Sequence, residues 1–120
     1  MKDAVVIYHN PRCSKSRQTL ELLRERGIEP EVVDYLKSPP DIGEIERILA
    51  LLGREPRALM RMQEPAYQAA GLADTGLTRE QLIRALHEHP ELIERPIVIA
   101  NGKAALGRPP SDLDELPFPP

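Results

Sequence analysis

Ala4-Val5-Val6-Ile7-Tyr8 is an unbroken apolar run of strand length. A run without polar alternation predicts a strand buried inside a sheet. The pattern then changes period. Leu20, Leu22 and Leu23 give an apolar face to a helix predicted from about Ser14 to Arg26, and Gly27 is its natural stop. Glu31-Val32-Val33-Asp34-Tyr35 predicts a second strand. A strand–helix–strand unit calls for parallel pairing through a right-handed crossover.

Ser38-Pro39-Pro40 breaks the chain, and Asp41 followed by Glu44 predicts a helix N-cap with its capping partner. Ile45, Ile48, Leu49 and Leu52 continue as a helical stripe to Gly53. Pro56 to Gln63 predicts a further short helix, and Glu64 to Gly76 an irregular or weakly helical stretch. Thr78 with Gln81 forms a capping-box pattern that opens a helix carrying Leu82, Ile83 and Leu86, stopped before Pro90. Strand character returns in Pro96-Ile97-Val98-Ile99-Ala100. Asn101-Gly102 is a hairpin turn signal, with Lys103 to Leu106 as the returning strand. Gly107-Arg108-Pro109-Pro110 ends the sheet, Ser111 is placed to cap one last turn, and Leu116 to Pro120 reads as a loose tail. The prediction is an α/β fold: a βαβ unit and a C-terminal β-hairpin, with a helical insertion at about residues 41–90, in a single domain spanning 1–120. That order matches a thioredoxin-like (glutaredoxin-like) sheet. No internal repeat or low-complexity segment interrupts it.

Composition narrows the function classes. At 120 residues the chain is long enough for one real core, and with aromatics at 3% that core must be aliphatic. A net charge of −3 argues against general nucleic-acid binding. Arginine outnumbers lysine, which suits bidentate recognition of oxyanions. No apolar run approaches membrane-spanning length, and Met1-Lys2-Asp3 leads into the first strand without a signal-peptide pattern. The lone cysteine, Cys13, cannot form an internal disulfide, which fits a reducing cytoplasm.

Cys13 is also the candidate for chemistry. It falls where the first strand ends and the helix begins, at the carboxyl end of a strand, where open α/β sheets keep their sites. Unpaired N–H groups and the positive end of the helix dipole favour a thiolate there, so its pKa is expected to be lowered. His9, Arg12, Lys15 and Arg17 add expected cationic character. The other fate of a lone cysteine is core packing, but its neighbours here are polar and basic. Cys13-Ser14-Lys15-Ser16 has the form C-x-x-S. Ser16 stands where a dithiol enzyme carries its resolving cysteine, so an oxidised Cys13 needs an external thiol. His9 either tunes the thiol or orders its loop, or is an ordinary strand-end histidine. His87 and His89 lack partners at metal-ligand spacing. Arg61, Arg95 and Arg108 are scattered, and pattern alone does not gather them. Arg95 precedes Pro96, which in a thioredoxin-like sheet is cis and lies beside the thiol.

Tyr8-His9-Asn10-Pro11-Arg12-Cys13-Ser14-Lys15-Ser16-Arg17 resembles the active-site segment of the glutaredoxin-coupled arsenate reductases. Ala58-Leu59-Met60-Arg61, Glu94-Arg95-Pro96-Ile97-Val98 and Leu106-Gly107-Arg108-Pro109 resemble that family's arginine segments, in order along nearly the whole chain. The resemblance implies reduction of arsenate to arsenite, with glutathione as co-substrate, glutaredoxin as partner, and no tightly bound cofactor or metal. It implies Cys13 as nucleophile and His9 as a stabiliser of its thiolate. Arg61, Arg95 and Arg108 would grip the arsenate oxygens, with Ser16 counted among the substrate-binding positions and Pro96 as the structural cis-proline. A cytoplasmic monomer, without nucleic-acid or membrane partners, is the accompanying expectation. The same cysteine segment occurs in glutathione-dependent thiol reductases and in Spx-type regulators that bind RNA polymerase, which stand as alternatives. Spx-type redox sensors carry a second cysteine where this chain has Ser16.

Overall fold

The computed structural model describes residues 5–107, 113–114 and 116–118. The chain divides into two compact units. The first joins the segment up to Ser38 with the segment from Arg95 onward, and the second spans Pro39–Glu94.

In the first unit, β1 (Val5–His9) leads into α1 (Ser14–Glu25) and then β2 (Glu31–Asp34). The hairpin strands β3 (Ile97–Ala100) and β4 (Lys103–Leu106) complete a four-stranded sheet in the order β2-β1-β3-β4. β1 and β2 pair in parallel, Ile7 opposite Val32, as the strand–helix–strand pattern requires. β3 runs antiparallel to both β1 and β4. The two inner strands are the apolar runs, and every residue of β3 is buried. Alternation puts Val5 and Ile7 of β1 on one face with Val98 and Ala100 of β3. Leu23 of α1 and Ile28 pack there, flanked by Leu20 and Leu22. At the hairpin, Asn101 has φ 49° and Gly102 φ 82°, the paired positive values that an Asn-Gly turn supplies at little cost.

The tail departs from expectation. Leu113 is fully buried and Leu116 is 8% exposed, both in the β1–β3–α1 core, with Phe118 packed against it. Prolines forbid regular helix there but do not prevent side-chain burial, so the segment is anchored rather than loose. Arg108 and the predicted cap Ser111 lie outside the described residues.

The second unit is helical: α2 (Ile42–Leu52), α3 (Pro65–Ala69) and α4 (Arg79–Glu88). Asp41 caps α2 by accepting the Glu44 N–H at 2.8 Å. Thr78 and Gln81 form the reciprocal capping box on α4. Ile45, Ile48 and Leu49 of α2 and Leu82, Ile83 and Leu86 of α4 form the buried stripes. The helix expected over Pro56–Gln63 is one 3-10 turn, Pro56–Leu59. It ends because Met60 forms an antiparallel bridge with Ile93, while the N–H of Arg61 donates to the Leu92 carbonyl at 2.7 Å. A second 3-10 turn, Pro90–Leu92, precedes that bridge. No helix among the described residues is long and apolar enough to cross a membrane.

Candidate active site

Cys13 is the N-cap of α1, with extended backbone (φ −95°, ψ 122°). Its carbonyl accepts the first helical bond, from the Arg17 N–H at 3.0 Å, and its own N–H donates to the Asn10 carbonyl at 3.0 Å. A side chain at the N-cap faces the N–H groups of the first turn, where a serine or aspartate oxygen normally sits. Here the N-cap residue is a half-buried cysteine whose side chain makes no capping hydrogen bond. The first turn contains no acidic residue, and Arg12, Lys15 and Arg17 are exposed. The Arg17 guanidinium folds back to donate to the Pro11 carbonyl at 2.8 Å, which leaves most of its donors uncommitted to the protein.

Beneath the thiol lies a neutral polar network. Ser16 is fully buried, with His9 Nδ1 2.6 Å from its hydroxyl oxygen. The Asn10 N–H donates to that same oxygen at 3.0 Å, and Asn10 Oδ1 accepts the Arg12 N–H at 2.9 Å. Since the Asn10 amide can only donate, the Ser16 hydroxyl proton has one acceptor within the network, His9 Nδ1. The geometry therefore assigns the proton of neutral His9 to Nε2. Burial pushes the His9 pKa below its ordinary value of 6.5. The Asp34 carboxylate opposes this, and Arg24 and Arg17 push in the same direction as burial.

Two expectations change as a result. His9 is neutral near pH 7, so it does not join the cations around Cys13. It orders the loop through Ser16. The Ser16 hydroxyl, expected among the substrate-binding positions, is fully buried and shared between His9 and Asn10. Asn10, which sequence pattern did not single out, supplies three of the loop's bonds.

Arg95 is buried at the entrance to β3, and the Arg95–Pro96 peptide is cis. Arg61 lies in the 39–94 unit, with Nε 4.0 Å from the Glu64 carboxylate. His9 at the end of β1 and Ser16 in α1 are thus bonded across the connection that carries Cys13, and Arg95 and Pro96 belong to the same unit. Among the described residues, no group of three His, Cys, Asp or Glu side chains could hold a metal ion.

A parallel β1–α1–β2 unit, an antiparallel hairpin entered through a cis-proline, and a thiol at the N-cap of α1 define a thioredoxin-like fold. Within that class the chain belongs to the ArsC family, whose model matches residues 8–116. It is 53% identical over 117 residues to the uncharacterised protein YfgD of Escherichia coli K12, covering 97% of this chain and 98% of that one. It is 50% identical over 113 residues to a protein of Neisseria meningitidis named arsenate reductase, covering 93% and 97%. A solved structure titled arsenate reductase, from Vibrio cholerae, superposes with TM-score 0.91 at 49% identity, covering 97% of this chain and 100% of that one.

Proposed function

We propose that this chain is an arsenate reductase in which Cys13 attacks arsenic. The observation that carries the proposal is the half-buried Cys13 thiol at the N-cap of α1, flanked by exposed cations and no acid in the first turn. Its support in kind comes from relatives at about half identity that bear the name arsenate reductase. Arsenate is a tetrahedral oxyanion, a mixture of monoanion and dianion near neutral pH. A helix N-terminus favours such an anion, and guanidinium groups match its oxygens bidentately.

In this mechanism the Cys13 sulfur displaces one arsenate oxygen, which leaves as water and produces a Cys13 thioarsenate. Arg95 offsets charge on the remaining oxygens as the bond forms. The resemblance of the surrounding segments adds Arg61 and Arg108 to that role, each to be tested by its own substitution. Ser16 is no thiol and is already occupied by His9 and Asn10, so the second sulfur comes from solution; in this proposal it is glutathione. Overall, one arsenate and two thiols become one arsenite, one disulfide and one water. Glutaredoxin then returns Cys13 to the thiol. Such a cycle runs in a reducing, cytoplasmic compartment, and one chain carries all the named groups.

The test is arsenate-dependent NADPH oxidation with glutathione, glutathione reductase and glutaredoxin supplied. The proposal predicts a rate that requires this protein and disappears in Cys13→Ser. A folded protein with a titratable thiol and no rate above the protein-free control would contradict it. Reduction of glutathionylated peptides under the same conditions would then favour a thiol reductase.

A further inference from the structure

Gly107 ends the hairpin, buried, with its N–H donating to the Pro96 carbonyl at 2.9 Å. Its φ lies outside the left-handed region, so its backbone conformation does not call for glycine. Space does. A Cβ built on Gly107 would stand 2.9 Å from Pro96 Cγ and 3.0 Å from Thr19 Oγ1. At none of the other six glycines does a Cβ come within 3.2 Å of a neighbour. Neither wall yields readily. The Pro96 atom belongs to a closed ring, and Thr19 is β-branched, 3% exposed and fixed on α1. Ordinary carbon contacts sit at about 3.5–4.0 Å, so a methyl group would force a retreat of roughly 0.5–1 Å.

The residues that meet here come from parts of the chain that carry the candidate site. Thr19 lies on the helix that Cys13 caps, Pro96 follows Arg95, and Gly107 precedes Arg108. We propose that Gly107 is a positioning residue. Its missing side chain sets how closely the Arg95–Pro96 segment approaches α1, and thereby where the Arg95 guanidinium stands relative to an oxyanion held at Cys13. This inference rests on the arsenate reductase proposal and assigns one further residue to the same reaction. The hydrogen bonds that join His9, Ser16, Asn10 and Arg12 do not involve Gly107, so the connection that carries Cys13 is expected to keep them in Gly107→Ala.

The test is a double-mutant cycle on kcat/KM for arsenate, with Gly107→Ala made in wild type and in Arg95→Ala. Since misplacement by about 1 Å can cost about 10²-fold, Gly107→Ala is expected to lose about 10–100-fold in wild type. In Arg95→Ala the same change should cost less than about twofold, because the group it displaces is gone. The alkylation rate of Cys13 by iodoacetamide should stay within about twofold of wild type. Thr19→Ala combined with Gly107→Ala removes the wall on the α1 side, so the end of the hairpin can shift toward α1 and carry the methyl away from the Pro96 ring. That variant is expected to fold even if Gly107→Ala does not, and to recover most of the lost kcat/KM. Equal losses in both arginine backgrounds, a Gly107→Ala enzyme like wild type, or a folded double variant without recovery would each overturn the inference. Wild-type protein that does not reduce arsenate would overturn both this inference and the proposed function. Wild-type activity that ignores Gly107 overturns this inference alone.

Discussion

The loop that carries Cys13 and the loop after α3 are both tied down by polar side chains, but with opposite chemistry. In the helical unit the work falls to a permanent cation. The half-buried Arg57 guanidinium donates to Tyr67 Oη at 3.3 Å, to the Leu72 carbonyl at 2.6 Å and to the Asp74 carbonyl. Around Cys13 the latch is neutral. Ser16, Asn10 and His9 exchange hydrogen bonds inside, while Arg12, Lys15 and Arg17 remain exposed. A guanidinium whose donors are spent on main-chain carbonyls is structural. Cations left at the surface beside a thiol are available to an incoming anion. An arginine count says nothing about this division, but the partners of each arginine do.

Substitutions at Arg95, which the proposed reaction uses, and at Arg57, which the helical unit uses, should separate site from scaffold most sharply. Arg95→Ala is expected to lower arsenate kcat/KM by about 10²–10³-fold, roughly 2.7–4 kcal/mol, as for removal of one oxyanion-stabilising donor. A rate within threefold of wild type removes Arg95 from the site. Arg57→Ala should do the reverse. It strands two carbonyls and a hydroxyl, and is expected to cost about 1.5–3 kcal/mol in urea unfolding while kcat/KM of the folded protein stays within about twofold. An Arg57→Ala protein that is fully stable but inactive would invert the assignment.

Ser16→Ala tests the neutral latch. It leaves His9 Nδ1 and the Asn10 N–H buried without their shared partner, at a cost of about 1–3 kcal/mol. For a chain of this length that corresponds to a fall of roughly 4–12 °C in melting temperature. An unchanged melting temperature would show that the network holds nothing in place.

The smallest expected effect is on pH dependence. Burial lowers the folded-state pKa of His9 from 6.5, so the unfolded chain binds that proton first as pH falls. The contribution is complete above pH 6.5 and is lost progressively below it, down through the depressed folded-state value. Melting curves between pH 7.5 and 5 should therefore fall more steeply for wild type than for His9→Asn. Parallel curves would mean that His9 titrates as it does in the unfolded chain.

What the sequence made legible was local. The apolar run of β1, the caps at Asp41 and Thr78, and the Asn101-Gly102 turn are each specified by residues within a few positions of one another. Cys13 was legible for the same reason, because a strand end and a helix start meet within one decapeptide. The features that pattern missed depend on distant partners. Met60 gave up helix to pair with Ile93, and the proline-rich tail looked loose until Leu113 and Leu116 had a core to enter. His9 and Ser16 are seven residues apart across a loop–helix boundary, a separation that matches no helical or strand period. The steric demand at Gly107 is set by Pro96 and Thr19, neither a sequence neighbour.

The central claim is that the Cys13 sulfur reduces arsenate, and a single turnover tests it directly. Reduced protein would be mixed with substoichiometric arsenate and excess glutathione, quenched, and its arsenite measured by chromatographic speciation. The account predicts that wild-type protein converts the added arsenate to arsenite, and that Cys13→Ser gives none above the glutathione-only background. Equal arsenite from both proteins, or none from folded wild type, would contradict it.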